Sequence, residues 1–241
     1  TQKKKGNIEK AKIDFKKAII KKTDFAEAYS NLGHCYYIEN NINKAIYNYK
    51  KAIEIKPFFA EAHNDLGNCF KNQNELNFAI DHYTQALKIN PNYIEAHNNV
   101  GVAYLSIGEV NNALLTFNKA LKIKSDYPEL YNNKGLSLMN LGKLDEAKYN
   151  YKMALKIKPD YVEANFNLAM VLYKCGHFPE ATVLFKKDNS IKSQNTILQC
   201  LFLQNKKILF YKQLNILKKR GVINSVIGSY ISRSNIRFGT K

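Results

Sequence analysis

Apolar residues recur along this chain at helical spacing, in two stripes per unit, and successive units have one length. In residues 26–59 the first stripe is Tyr29, Leu32, Gly33 and Tyr36, at offsets of three and four. The second is Ile42, Ala45, Ile46, Tyr49, Ala52, Ile53 and Ile55. Glu39, Asn40 and Asn41 form a polar turn between them, and Pro57 stops the second helix because it has no N–H to offer. Gly33, Gly67, Gly101 and Gly135 fall 34 residues apart, and Ala169 continues the series. Ala45, Ala79, Ala113, Ala147 and Ala181 keep the same period, as do Ala52, Ala86, Ala120 and Ala154. A fixed period of this size predicts a helical repeat array, since two amphipathic helices bury their faces only when neighbours stack on them.

The small residues have a mechanical role: Gly33, Ala45 and Ala52 let helix axes approach while Tyr36 and Tyr49 fill the remaining space. The order of an aromatic, Leu-Gly, Tyr, Ala, an aromatic, Ala and Pro resembles the tetratricopeptide repeat (TPR). It recurs in 60–93 (Leu66, Gly67, Phe70, Ala79, Tyr83, Ala86, Pro91) and in 94–127 (Val100, Gly101, Tyr104, Ala113, Phe117, Ala120). It returns in 128–161 (Gly135, Ala147, Tyr151, Ala154, Pro159) and weakens in 162–195, where Asp188 replaces the last alanine. The resemblance implies an all-α fold, an α-α superhelix (TPR solenoid) of antiparallel helix pairs. It has about five full repeats, a partial one over 1–25 and a helical extension over 196–241. Ser125 stands where proline is expected, with Pro128 slightly late, and Lys134 takes a leucine position, where its ammonium must snorkel to water. Gly6, Ile8, Ala11, Phe15 and Ala18 match a second helix whose first helix is absent, so the chain reads as a fragment. Cut ends would expose apolar helix faces and permit self-association.

Composition changes this picture little. No run approaches the roughly 18–20 apolar residues of a membrane span. The four cysteines stand singly, which reads as buried thiols in a reducing, cytoplasmic setting. The net charge of +17 is uneven: from residue 189 onward there are ten basic residues and no acidic one. Lysine outnumbers arginine 34 to 3, and Asn, Ile and Tyr abound; AT-rich codons would account for much of this. Within the repeats, lysines such as Lys50, Lys51, Lys88, Lys119, Lys122, Lys152 and Lys156 gather on the second helices, which the resemblance puts on the convex side. No aromatic platform is interleaved with them, so a solvated face is favoured over nucleic acid or anionic lipid.

The resemblance also implies that the first helices line a concave groove, with the sixth position of each unit facing it. That position reads Asn31, Asp65, Asn99, Asn133 and Asn167. The ladder is similar to the one in the TPR domain of O-linked N-acetylglucosamine transferases, which grips the backbone of an extended peptide. An amide carries a donor and an acceptor together and so pairs with any peptide group. The other reading is that these residues bond within the array. Asn64, Asn98 and Asn132 at the preceding position, with His34 and Asn68, extend the polar lining. The groove candidates include no cation, and Glu27, Glu61, Glu95, Glu129 and Glu163 lie near the helix starts, which argues against a clamp for an acidic tail. His63 and His97 read as packed rings. No metal-ligand spacing, phosphate loop or nucleophile elbow is present, so neither a cofactor nor catalysis is expected.

After Asn195 the period fails, and two further helices are expected from Ile197 and from Ile208, with a third over 222–232. As a terminal cap they would cover the last apolar face. The stretch SVIGSYISR at 225–233 is similar to bacterial TPR proteins that carry an iron(II)/2-oxoglutarate oxygenase-like domain. Two functions therefore stand side by side: a non-catalytic scaffold for a protein or extended peptide, and the substrate-recruiting arm of a larger oxygenase or glycosyltransferase.

Overall fold

The computed structural model describes residues 2–188 and 190–221, together with 228–229, 232–234 and 238. These divide into two compact units, Thr1–Ser125 and Asp126–Lys241. In the first unit α1 (Gln2–Lys21) is followed by three antiparallel pairs: α2 (Ala26–Ile38) with α3 (Ile42–Ile55), α4 (Ala60–Asn72) with α5 (Leu76–Ile89), and α6 (Ile94–Ser106) with α7 (Val110–Ile123). Each first helix also packs on the second helix of the preceding repeat. The second unit stacks α8 (Pro128–Asn140) with α9 (Leu144–Ile157), α10 (Val162–Lys174) with α11 (Phe178–Phe185), and α12 (Ile191–Leu203) with α13 (Lys207–Lys219).

The turns show why the sequence breaks where it does. Each first helix runs into one residue with positive φ: Asn40, Asn74, Gly108, Gly142 and Gly176, at the 34-residue period. Asn and Gly are the residue types that enter this left-handed region most readily. Second helices end just before Pro57, Pro91 and Pro159. Pro128 is late because it has moved into the first turn of α8, where a missing N–H costs nothing.

Inside each pair a glycine faces an aromatic ring. A Cβ on Gly67 would lie 2.7 Å from Tyr83, one on Gly135 2.8 Å from Tyr151, and Gly101 meets Phe117 in the same way. Tyr83, Phe117 and Tyr151 are fully buried, so the ring occupies the volume the glycine leaves. Lys134 is only half-buried where Leu66, Val100 and Leu168 are buried, and partial desolvation pushes its ammonium pKa down. It therefore stays part way out, as expected of a lysine in a leucine slot.

The last pair departs from the sequence-based expectation. Helix α12 starts at Ile191, ahead of both the 195/196 boundary and the start at Ile197. The positive-φ residue of its turn is Asn205, five residues short of one full period after Gly176. The period therefore resumes after a five-residue loss. In that shifted register Leu198 takes the glycine position, Phe210 and Leu217 the two alanine positions, and Leu214 the aromatic position; all four are buried. The cause is Asp188. A carboxylate cannot enter the tight alanine slot, so α11 stops at Phe185. Asp188 instead accepts hydrogen bonds from the Ser190 N–H at 2.9 Å and from the Ser190 and Ser193 hydroxyls at 2.6 Å. Ser190 in turn caps α12 by accepting from the Ser193 N–H. Burial raises the Asp188 pKa, but these hydrogen bonds outweigh it and the net shift is downward. Most of the helix expected over 222–232 and of the 225–233 stretch lies outside the described residues.

Candidate functional site

The first helices present the sixth-position residues at one register. In the first unit Asn31 on α2 is exposed, while Asp65 on α4 and Asn99 on α6 are half-buried; in the second, Asn133 on α8 and Asn167 on α10 are half-buried. His34 is exposed one turn beyond Asn31. Asn64 and Asn132, by contrast, are buried.

The buried amides are the links of a relay. The Asn99 amide donates to the Asn64 carboxamide oxygen at 3.0 Å, and the Asn64 amide donates to Asp65 at 3.4 Å. The second unit repeats the arrangement: Asn167 donates to Asn132 at 3.0 Å, and Asn132 to Asn133 at 3.3 Å. Asn99 and Asn167 are thus each tied to the preceding repeat, which fixes their orientation. A primary amide has two N–H groups and an oxygen with two lone pairs. Among the described residues, Asn99 and Asn167 each spend one N–H and keep the other N–H and the oxygen. Asn31 makes no hydrogen bond there and is exposed.

The other candidates divide. Asn68 accepts from the buried Tyr83 hydroxyl at 2.8 Å and so holds the core ring in place. Asn98 is half-buried beside Asn99. Burial pushes the Asp65 carboxyl above its ordinary range; nearby His34 and hydrogen bonds from Asn64 and Tyr49 pull it back only in part. Asp65 therefore adds a half-buried acidic group to a lining that is otherwise amide.

His63 and His97 are buried rings, as expected. Each donates from Nε2 to the carbonyl of the proline that closes the preceding repeat, Pro57 at 3.3 Å and Pro91 at 2.8 Å. Asn165, at the same register, donates to the Pro159 carbonyl at 3.3 Å. This position is a tether for the inter-repeat turn, a role the sequence signalled only by keeping a polar donor six residues after Pro57, Pro91 and Pro159. His63 Nδ1 also lies 3.3 Å from His82 Nδ1, and burial pushes His82 down to about 4. Cys35, Cys69 and Cys200 are buried, and burial with the nearby Asp65 charge pushes Cys69 up to about 12. Cys175 departs from that pattern: it caps the end of α10 in a turn and is exposed. Among the described residues no three His, Cys, Asp or Glu side chains gather to hold a metal, and no helix is long and apolar enough to cross a membrane.

Residues 60–93 and 82–114 match family models described as tetratricopeptide repeat, and 33–74, 103–142 and 135–176 match one described as TPR repeat. No curated protein matches the chain. Among solved structures, pilF of Pseudomonas aeruginosa is 20% identical over 86% of this chain and 97% of its own, with a TM-score of 0.76. PilW, a widely conserved type IV pilus biogenesis factor, is 18% identical over 86% and 98%, with a TM-score of 0.77. YrrB, a TPR protein with an unusual peptide-binding site, is 22% identical over 79% and 97%, with a TM-score of 0.62. At these identities the likeness is one of fold, in keeping with the stacked helix pairs. By its repeats and by the family models they match, this chain belongs to the tetratricopeptide repeat family.

Proposed function

We propose that this protein is a non-catalytic scaffold that holds an extended peptide or protein segment along the first-helix face of its repeats. The observation that carries this reading is the set of unspent amide groups. Asn99 and Asn167 are oriented by the relay and retain a donor and an acceptor, and Asn31 retains everything. A peptide group needs that complement, and side-chain identity does not enter. One hydrogen bond contributes about 0.5–1.5 kcal/mol net, so affinity has to come from repetition. Asp65 biases the first unit toward segments with a basic or neutral residue opposite it.

The test is a binding screen of the whole chain against immobilised extended peptides, repeated with the Asn31→Ala/Asn99→Ala double variant. Loss of two backbone bonds predicts a weakening of roughly tenfold to a hundredfold. Asn31 is exposed and unbonded, so Asn31→Ala alone should weaken binding with no change in melting temperature. Peptides bound equally well by both variants would remove the groove from the account.

A further inference from the structure

The other side of the first helices carries a second surface, and nothing in the ladder uses it. At about 100° per residue, Tyr29, Leu32 and Tyr36 lie on the side of α2 opposite Asn31 and His34. There, in the first unit, α1 and α3 form the banks of a crevice of about 460 Å³ with α2 as its floor. Ile19, Ile20 and Tyr47 supply apolar walls above Leu32 and Tyr36. Ile20 is 79% exposed and Tyr47 59%, large values for residues of this kind. Lys16 stands on one bank and Lys44 on the other, and neither forms an ion pair among the described residues. Lys44 instead rests over the Tyr36 ring at 5.5 Å.

The next repeat has the same geometry with different contents. Tyr29, Tyr36, Lys44 and Asn48 become His63, Phe70, Phe78 and His82. Those four rings pack on one another: Phe70 stacks on His82 with centroids 5.4 Å apart, and Phe78 and His63 each complete a contact at 5.5 Å. Lys50, the counterpart of Lys16, lies over Phe70 at 5.9 Å. The apolar surface that repeat satisfies internally is left open at α1–α3. In the second unit the crevice reappears at the equivalent positions of α9, α10 and α11, with a volume of about 400 Å³. It keeps leucines on its floor, the exposed Val183 at the Tyr47 position and Lys152 at the Lys16 position, but Glu180 replaces Lys44.

We infer that the α1–α3 crevice is a docking site for an acidic amphipathic helix, a partner distinct from the peptide in the groove. An apolar stripe at offsets of three and four would enter between Ile20 and Tyr47, and flanking carboxylates would meet Lys16 and Lys44. Pairing two copies crevice to crevice is disfavoured, because rims that both carry lysines repel. The crevice of the second unit, with a carboxylate on one bank, is the weaker of the two.

The experiment uses the whole chain and three labelled model peptides of about 18 residues, or five turns. One is a leucine–glutamate amphipathic helix, one has the same composition scrambled so that the leucines share no face, and one has lysine in place of glutamate. The acidic amphipathic peptide should bind and the other two should not. Ile20→Ser/Tyr47→Ser, which alters only exposed side chains and no charge, should weaken it by about tenfold or more. Lys16→Gln/Lys44→Gln should weaken it and flatten its salt dependence. Asn31→Ala/Asn99→Ala should leave it unchanged, which separates this site from the groove. Equal binding of the scrambled peptide, no effect of the serine variant, or preferential binding of phosphatidylserine vesicles would each overturn the inference.

Discussion

The α4–α5 pair of the first unit and the α12–α13 pair of the second occupy the same step of one repeat, yet they solve it differently. In α4–α5 a glycine makes room for a buried tyrosine, two alanines flank it, and the first helix carries the buried Asn64 and the half-buried Asp65 at the ladder register. In α12–α13 the glycine and tyrosine positions are both leucine, and the alanine positions are Phe210 and Leu217. The ladder position there is Thr196, which is buried and gives its hydroxyl to its own helix at Lys192 O. The two pairs show that packing and presentation separate. The core accepts any combination that fills the volume, whereas an outward amide survives only where the repeat keeps its register.

The largest effect should come from exchanging the two core solutions. Gly67→Leu drives a side chain into Tyr83 and should cost about 3 kcal/mol. Adding Tyr83→Leu recreates the Leu198–Leu214 pair and should recover more than half of that loss. Leu198→Gly should cost about 4 kcal/mol, from the cavity plus glycine's helix penalty. Urea denaturation of the four proteins reads these directly; a double variant no better than Gly67→Leu would show that the two solutions are not interchangeable.

Acid should single out the first unit. Burial lowers the pKa of His63, His82 and His97, so the fold prefers them neutral. Their stabilising preference is complete above the unfolded value near 6.5 and erodes as pH falls, because the unfolded chain gains protons first. His82, with a folded value of about 4, should cost about 2 kcal/mol by pH 5. The second unit's one histidine, His177, is exposed. His63→Tyr/His82→Asn, which installs the residues of the first repeat, should melt closer to the parent at pH 7.5 and clearly above it at pH 5. Parallel pH curves would contradict the assignment.

A smaller effect is expected at the seam that shifts the register. Asp188→Ala should cost about 1 kcal/mol at neutral pH by removing the acceptor for Ser190 and Ser193. Since its folded pKa is lowered, its contribution is present above 3.8 and is lost as pH falls through the folded value. The gap between parent and variant melting temperatures should therefore close in acid. The smallest change in stability is that of Asn31→Ala, which should lie within about 0.5 kcal/mol of the parent.

The regular pairs were legible in the sequence because their constraint is steric. Only a small residue fits beside Tyr83 or Tyr151, so glycine and alanine must recur at fixed spacing. The α12–α13 pair was hidden because mid-sized residues stand at every diagnostic position and the five-residue loss moves them out of phase. The type and register of the ladder residues were legible as well. Their bonding was not: Asn99–Asn64 and Asn167–Asn132 pair 35 residues apart, across two helices, in a chain where asparagine is common everywhere. The α1–α3 crevice was not legible because Tyr29, Leu32 and Tyr36 on its floor read as the packed stripe of α2, while the exposure of Ile20 and Tyr47 on its banks shows only in the structure.

The most direct test of the central claim is nuclear magnetic resonance of the asparagine side-chain amides during titration with a peptide recovered from the groove screen. The account predicts that the Asn31 and Asn99 NH2 signals move with saturable binding while the helix signals around Tyr47 and Thr196 stay fixed. Movement at Tyr47 with the Asn31 and Asn99 amides unmoved would contradict it and place the peptide on the opposite face of the repeats.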